Sequence, residues 1–159
     1  KQFINDNVNH NIMGKEIKLN DIEFHHELAV QLRYTDADMQ GHVNNTIYFQ
    51  YFNMAYINYL DTLSLTIDTH SGIVVAHVDC DFISPVHIGD NVTVQTAVTF
   101  IGNKSFTIES RLVDTNSDEV RAKATYIMCS FDLDNQRSMK VPETWIDAME
   151  KYEQRRLRA

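Results

Sequence analysis

The sequence predicts an α+β domain in which one antiparallel sheet curls around one long helix. Three observations predict it. One long helix-like segment is apolar on most of its sides, a strand-like segment precedes it, and four strand-like segments separated by short polar breaks follow it. A helix that is apolar on most sides must be buried on most sides, and a sheet wrapped around it meets that need. The 159 residues are 43% hydrophobic and 23% charged, enough for a single core and too apolar for wholesale disorder.

Residues 1–20 form a polar arm punctuated by Asn5, Asn7, Asn9, Asn11 and Asn20, and a single domain spans 21–159. From Glu23 to Arg33 the apolar residues Leu28, Val30 and Leu32 alternate with their neighbours, which is strand periodicity. A turn over Thr35–Asn45, containing Gly41, leads into a helix from Thr46 to about Leu65, with Asn44 or Asn45 as its N-cap. Strands follow over Ile73–Val86, Asn91–Ile101, Ser105–Asp114 and Glu119–Asp132. The breaks at His87–Asp90, Gly102–Lys104 and Asn116–Asp118 are short, so consecutive strands are expected to be antiparallel neighbours. Pro142 opens a last amphipathic helix, Glu143 to about Leu157. Its Arg155, Arg156 and Arg158 are expected to face the negative end of the helix dipole.

Composition excludes several functions. Fourteen basic residues against 22 acidic ones give a net charge of −8, which argues against nucleic acid or an anionic membrane as partner. No apolar run reaches the roughly 18 residues of a transmembrane helix, and Lys1–Asp6 lacks the apolar core of a secretory signal. A cytoplasmic location is expected. Cys80 and Cys129 lie in apolar segments and are read as small buried residues, not a disulfide. His25, His26, His70, His77 and His87 lack the spacing and companions of a metal site. No Gly-x-Ser-x-Gly and no phosphate loop occurs.

The segment Arg33–Phe49, reading RYTDADMQGHVNNTIYF, carries the chemistry. It sets carboxylates, an imidazole and a glycine directly before a helix N-terminus, where free N–H groups and the dipole stabilise an oxyanion. A carboxylate there can activate water or attack a carbonyl itself. On residue types alone, Asp36 and Asp38 read equally as turn caps.

This stretch resembles the 4-hydroxybenzoyl-CoA thioesterase-like family of hotdog-fold proteins, with Asp36-x-Asp38 followed by His42-Val43-Asn44-Asn45 and a long helix. His42–Asn45 also resembles plant acyl-carrier-protein thioesterases and bacterial acyl-CoA thioesterases, and Asp81–Pro85 with Gly89-Asp90 resembles the family's following strand and turn. The resemblance covers residues from about 25 to 140. It implies a hotdog fold, with an antiparallel sheet of five or more strands around a central helix. It also implies hydrolysis of an acyl-CoA or acyl-carrier-protein thioester without a metal or redox cofactor.

Carried over by position, the resemblance makes Asp38 the catalytic carboxylate and Asp36 the structural one. The carbonyl-polarising backbone N–H falls on Asn45. His42 matches a plant-type histidine, Gln40 stands where that group has Asn, and Asp81 is the nearest acidic residue on the following strand. Tyr48, Tyr51 and Phe52, close to the helix start, are candidates for the acyl pocket, with at least one lining it while the others fill the core. A local cluster of Lys104, Arg111, Arg121 and Lys123 is expected to meet coenzyme A phosphates. Two alternatives stand beside hydrolysis: a non-catalytic acyl-CoA-binding domain, and an acyl-thioester hydratase or dehydratase. The latter resembles Asp-x-Asn-Pro-x-His in its loop, which this chain lacks. A curled sheet leaves an exposed edge strand, and hotdog relatives pair the strand after the helix with its copy. A homodimer or homotetramer is therefore expected, with sites near the subunit boundary.

Overall fold

The computed structural model describes residues 21–65 and 67–158, so the arm expected over residues 1–20 lies outside the described residues. The elements are β1 (His26–Val30), α1 (Asn45–Thr62), β2 (Ser71–Phe82), β3 (Val92–Ile101), β4 (Ser105–Asp114), β5 (Val120–Asp132), β6 (Arg137–Ser138) and α2 (Glu143–Glu153). They form one six-stranded antiparallel sheet in the order β1-β3-β4-β5-β2, with the short β6 paired to β5. The sheet curls around α1, as the sequence predicts.

One expectation about topology fails. β2 and β3 are consecutive but not neighbours: β2 pairs with β5 at one edge of the sheet, and β3 lies between β1 and β4 at the other side. The segment 83–91 is too long for a tight hairpin and serves as a crossover. Val86 within it is fully buried, and its carbonyl accepts from the Val43 N–H at 2.8 Å. That crossover passes directly in front of the start of α1.

Asn44 is the N-cap of α1, its Oδ1 accepting from the Thr46 N–H at 3.0 Å. Tyr48, Tyr51, Phe52, Ala55 and Tyr59 recur at helical spacing and face the sheet. Phe52 is 0% exposed, in a core shared with Val94, Val98, Phe106, Ile108, Leu112 and Met128. The helix is not buried on most sides, however. Met54 and Ile57 are 49% and 59% exposed, because one chain covers only the face of α1 turned toward its own sheet.

The last helix ends earlier than expected. It stops at Glu153, where Gln154 adopts a left-handed conformation (φ 53°). Beyond it the chain doubles back, and Arg158 pairs with Glu143 at 2.9 Å and Glu150 at 3.2 Å. The arginines thus lie past the helix, and Arg158 brackets its length instead of facing its end. Trp145 and Met149 are buried against the core. Glu153, 2% exposed, accepts from the Tyr59 hydroxyl at 2.6 Å and the Val98 N–H at 3.1 Å, joining α2 to α1 and β3.

Candidate active site

The loop between β1 and α1 uses its two aspartates differently. Asp36 is 1% exposed. Its carboxylate accepts from the Arg33 N–H and Nε–H at 3.0 Å each and from the Tyr51 hydroxyl at 2.6 Å, and it pairs with Arg33 Nη2 at 2.9 Å. Burial pushes its carboxyl up, but the hydrogen bonds from Tyr51 and Arg33 and the Arg33 charge outweigh that and hold it below the ordinary value. The Asp36 carbonyl also accepts from the Asn44 N–H at 2.9 Å, which fixes the approach to α1.

Asp38 is exposed. Its Oδ1 accepts from the backbone N–H groups of Gln40 and His42 at 2.8 and 3.1 Å, and its own N–H donates to the His42 carbonyl at 2.7 Å. The tight turn from Asp38 closes on Gly41, which sits at φ +77°, a conformation glycine adopts without cost. Asp38 is therefore held both through its backbone and through Oδ1, and it lines an open cavity.

That cavity measures about 390 Å³ and lies between the start of α1 and the end of β2. Asp38, His42, Asn45, Tyr48, Phe82 and Pro85 are among the residues on its wall. Asn45 is the first residue of α1, so its N–H has no partner four residues back. The next two N–H groups go to Asn44, from Thr46 to Oδ1 and from Ile47 to the carbonyl. The cavity thus combines a carboxylate, an imidazole and a helix N-terminal amide, which suits a reaction that builds negative charge on a carbonyl oxygen.

The other candidates distribute unevenly. The His42 ring is half-buried and meets the His87 ring edge-on, with centroids 4.6 Å apart. Tyr48 lines the cavity; its hydroxyl accepts from the Val86 N–H at 3.2 Å, and burial raises its pKa. Tyr51 turns away to Asp36, and Phe52 is core. Gln40 contributes its backbone N–H to Asp38, and its side chain is not on the cavity wall. Asp81 is not there either. It lies opposite Lys123 on β5, and strand alternation puts it on the face away from Phe82.

Residues 82–87 are the part of the site that sequence reasoning passed over. Phe82 packs edge-on against Tyr48, with ring centroids 5.1 Å apart, while Ser84 and Pro85 complete the wall. Arg121 holds this segment in place. Its carbonyl accepts from the Ile83 and Ser84 N–H groups, and its Nη1 donates to the Pro85 carbonyl at 2.7 Å. Asp90, Asp114 and Glu119 surround the same guanidinium at 3.3–3.7 Å.

The expected phosphate-binding cluster is only partly assembled: Arg111 and Lys123 are cross-strand partners on β4 and β5. Arg121 is taken up by carboxylates, and Arg111 lies over the Phe24 ring with its Nε–H donating to Gln95. Lys104 stands at the opposite end of β4 from Arg111. Cys80 and Cys129 are free and half-buried, and burial pushes the Cys80 thiol up to about 12. Among the described residues, no group of three or more His, Cys, Asp or Glu side chains is placed to hold a metal ion. Among them, too, no helix is long and apolar enough to cross a membrane.

A second, larger cavity of about 560 Å³ lies farther along the same seam, between the C-terminal half of α1 and the start of β2. Tyr56, Ile57, Leu60, Leu65, Ile73 and Val75 give it an apolar lining, with Asp61 and Ser64 among its polar residues.

A sequence model of the thioesterase-like superfamily matches residues 32–149, which include the aspartate loop, α1 and most of the sheet. The chain belongs to the thioesterase-like superfamily. Its fold is the hotdog fold of solved thioesterases. A thioesterase of Thermus thermophilus, solved with coenzyme A and zinc, is 28% identical, with a TM-score of 0.74 over 84% of this chain and 98% of that one. The PA2801 protein of Pseudomonas aeruginosa is 26% identical, with a TM-score of 0.72 over 79% and 98%. The 1,4-dihydroxy-2-naphthoyl-CoA thioesterase Slr0204 of Synechocystis, 21% identical, shares the fold with a TM-score of 0.71 over 78% and 94%. In sequence, the protein YsmA of Bacillus subtilis strain 168 is 29% identical over 80 residues, half of this chain; the match spans 54% of that relative.

Proposed function

We propose that this superfamily member hydrolyses an acyl thioester of coenzyme A or of an acyl carrier protein, giving the free acid and the thiol. One observation carries the reading: the Asp38 carboxylate and the start of α1 at Asn45 line the same cavity. The thioester carbonyl oxygen is placed at the Asn45 N–H, where the helix dipole and an amide without an intrahelical acceptor stabilise the developing charge. A preorganised oxyanion site of this kind contributes about 3–4 kcal/mol of barrier lowering. Asp38 takes the proton from an attacking water, or attacks the carbonyl itself to give a mixed anhydride that water then opens. In either route the C–S bond breaks and the thiol leaves. His42, packed against His87, orders the loop through its backbone bonds to Asp38.

The functional unit is a homodimer formed along β2, whose second edge is open among the described residues. Its exposed Val74, Val75, Val78 and Phe82 favour cover by a second copy.

Thiol release from a panel of acyl-CoAs tests the reading. Hydrolysis of at least one member, reduced about 10²–10⁴-fold in kcat by Asp38→Asn, is the expected result. Full activity of Asp38→Asn, or tight binding with no thiol release from any member, overturns it.

A further inference from the structure

The loop that carries Asp38 is held by more than the strand and helix that flank it. Residues 86–88 of the crossover lie beside residues 41–43 as a short antiparallel ribbon. The Val43 N–H donates to the Val86 carbonyl at 2.8 Å, and the Ile88 N–H donates to the Gly41 carbonyl at 3.2 Å. Residues 41–43 are in turn tied to Asp38, whose N–H and Oδ1 both bond the His42 backbone. Val86 also donates its N–H to the Tyr48 hydroxyl at 3.2 Å, so the same ribbon meets the first turn of α1. Whatever fixes residues 86–88 therefore fixes the Asp38 turn relative to the Asn45 amide.

Arg121 fixes them from both ends. Ahead of the ribbon, its Nη1 donates to the Pro85 carbonyl at 2.7 Å. Behind it, the same nitrogen stands 3.7 Å from Asp90 Oδ2, and that oxygen accepts from the His87 N–H at 2.9 Å. Gly89, at φ +100°, lets the chain turn back so that Asp90 reaches His87. Asp114 and Glu119 hold the other end of the guanidinium, at 3.3 and 3.5 Å from Nη2. A planar fork of donors suits this place, because one group then bridges a carbonyl and three carboxylates in a fixed geometry.

We propose that Arg121 is a positioning residue for thioester hydrolysis: through the crossover ribbon it sets the Asp38 carboxylate against the start of α1, without touching the substrate. This inference rests on the hydrolase reading given above and adds a residue of β5 to it. The contacts run from Arg121 to Pro85 and Asp90, from these to residues 86–88, and from there to His42 and Asp38. Each link is one or two polar contacts, so loosening the first displaces the last without unseating the core. The Arg121 carbonyl, which accepts from the Ile83 and Ser84 N–H groups at 2.9 and 3.1 Å, keeps the crossover docked on β5 when the side chain changes. A displacement of about 1 Å at reacting groups costs up to about 10²-fold in rate.

Steady-state kinetics of two variants test this, on the acyl-CoA that the wild type hydrolyses best. Arg121→Met keeps the apolar stem and removes every donor. Arg121→Lys keeps the charge and replaces the fork by one ammonium. With Arg121→Met, kcat is expected to fall about 10–100-fold, while KM and inhibition by free coenzyme A stay within about twofold of wild type. Arg121→Lys is expected to recover part of that loss, leaving kcat about 3–10-fold below wild type. Assays run well below the melting temperature of each variant, so loss of folded protein does not enter the rates.

Wild-type kcat in both variants makes Arg121 merely structural and overturns the proposal while leaving hydrolysis standing. A rise in KM and weaker inhibition by coenzyme A, with kcat kept, overturns it in favour of an arginine that binds phosphate. If Arg121→Met does not fold, Arg121→Lys decides alone: a kcat lowered about threefold or more at unchanged KM supports the proposal, and an unchanged kcat overturns it. Absence of thiol release from every acyl-CoA by the wild type sinks the hydrolase reading and this proposal with it.

Discussion

The Tyr51 hydroxyl donates to Asp36 Oδ2 at 2.6 Å, which ties the loop before α1 to the buried face of that helix. Asp38, two residues on, has no such anchor to the core and lines the cavity instead. The two carboxylates therefore separate into a fastener and the proposed reagent. Removing the Tyr51 hydroxyl takes away a hydrogen bond to a buried charge, worth about 1.5–3 kcal/mol. Tyr51→Phe is expected to lower the unfolding free energy by that amount in urea titrations, while Asp38→Asn leaves it within about 0.5 kcal/mol. Equal destabilisation by the two substitutions contradicts the division.

The same network sets an acid limit. Because the folded-state pKa of Asp36 is held below its ordinary value of 3.8, its contribution is present above that value and is lost as pH falls through the lower folded one. Asp36→Asn is expected to be less stable than wild type at neutral pH, with the gap closing in acid. A gap that stays constant down to pH 2 counts against the assignment.

Glu109 works in the opposite sense. It lies buried on β4, and burial pushes its carboxyl up to about 7 despite a 2.8 Å hydrogen bond from Thr125. A carboxyl raised on folding contributes fully below its unfolded pKa, and that contribution is lost as pH rises through the folded value. Glu109→Gln keeps an acceptor for Thr125 and removes the titration. It is expected to be more stable than wild type at pH 8, by something on the order of 1–3 kcal/mol, and similar to it at pH 5. Thermal melts across that range check the crossover.

Tyr48, Tyr51 and Phe52 also separate by role. Phe52→Ala empties a fully buried site and is expected to cost about 3–5 kcal/mol without reordering an acyl-CoA panel. Tyr48→Ala and Phe82→Ala change the cavity wall and are expected to shift preference toward bulkier acyl groups. A panel whose order is unchanged in both wall variants places the acyl pocket elsewhere.

A charge on the open edge tests the dimer directly. Val78→Lys is expected to give a monomer in sedimentation at micromolar concentration and to lower kcat/KM with it. A dimer that persists with wild-type affinity argues for a different interface.

Much of the fold was legible because its signals are local. The alternation around Leu28–Leu32, the Asn44 cap and the turn at Gly102–Lys104 each depend on a few adjacent residues. What stayed hidden was long-range. Nothing in residues 83–91 says that β2 will pass over β3 and β4 to pair with β5, and the segment reads equally well as a wide turn. The same gap hid Phe82 and Pro85 as site residues and Arg121 as their anchor, since Arg121 comes from a strand more than 30 residues later. The exposed stripe of Met54 and Ile57 was misread for a related reason: apolar periodicity records that a face seeks cover, but not which molecule supplies it. Residue type suggested Asp36 and Asp38 alike; the family resemblance separated them by position, and the Tyr51 and Arg33 contacts give the physical reason that Asp36 is the buried one.

The crossover of residues 83–91 also dictates an order of events during synthesis. β2 leaves the ribosome well before β5, its only partner strand in the described chain, and must wait about 40 residues with both edges bare. Loop closure over that span slows its docking. Until then, Ser84 and Pro85 have no Arg121 to hold them against the start of α1. The candidate cavity is thus among the last features to form. A nascent chain with an exposed β2 is a target for aggregation or chaperone capture, but it cannot yet carry the assembled candidate site.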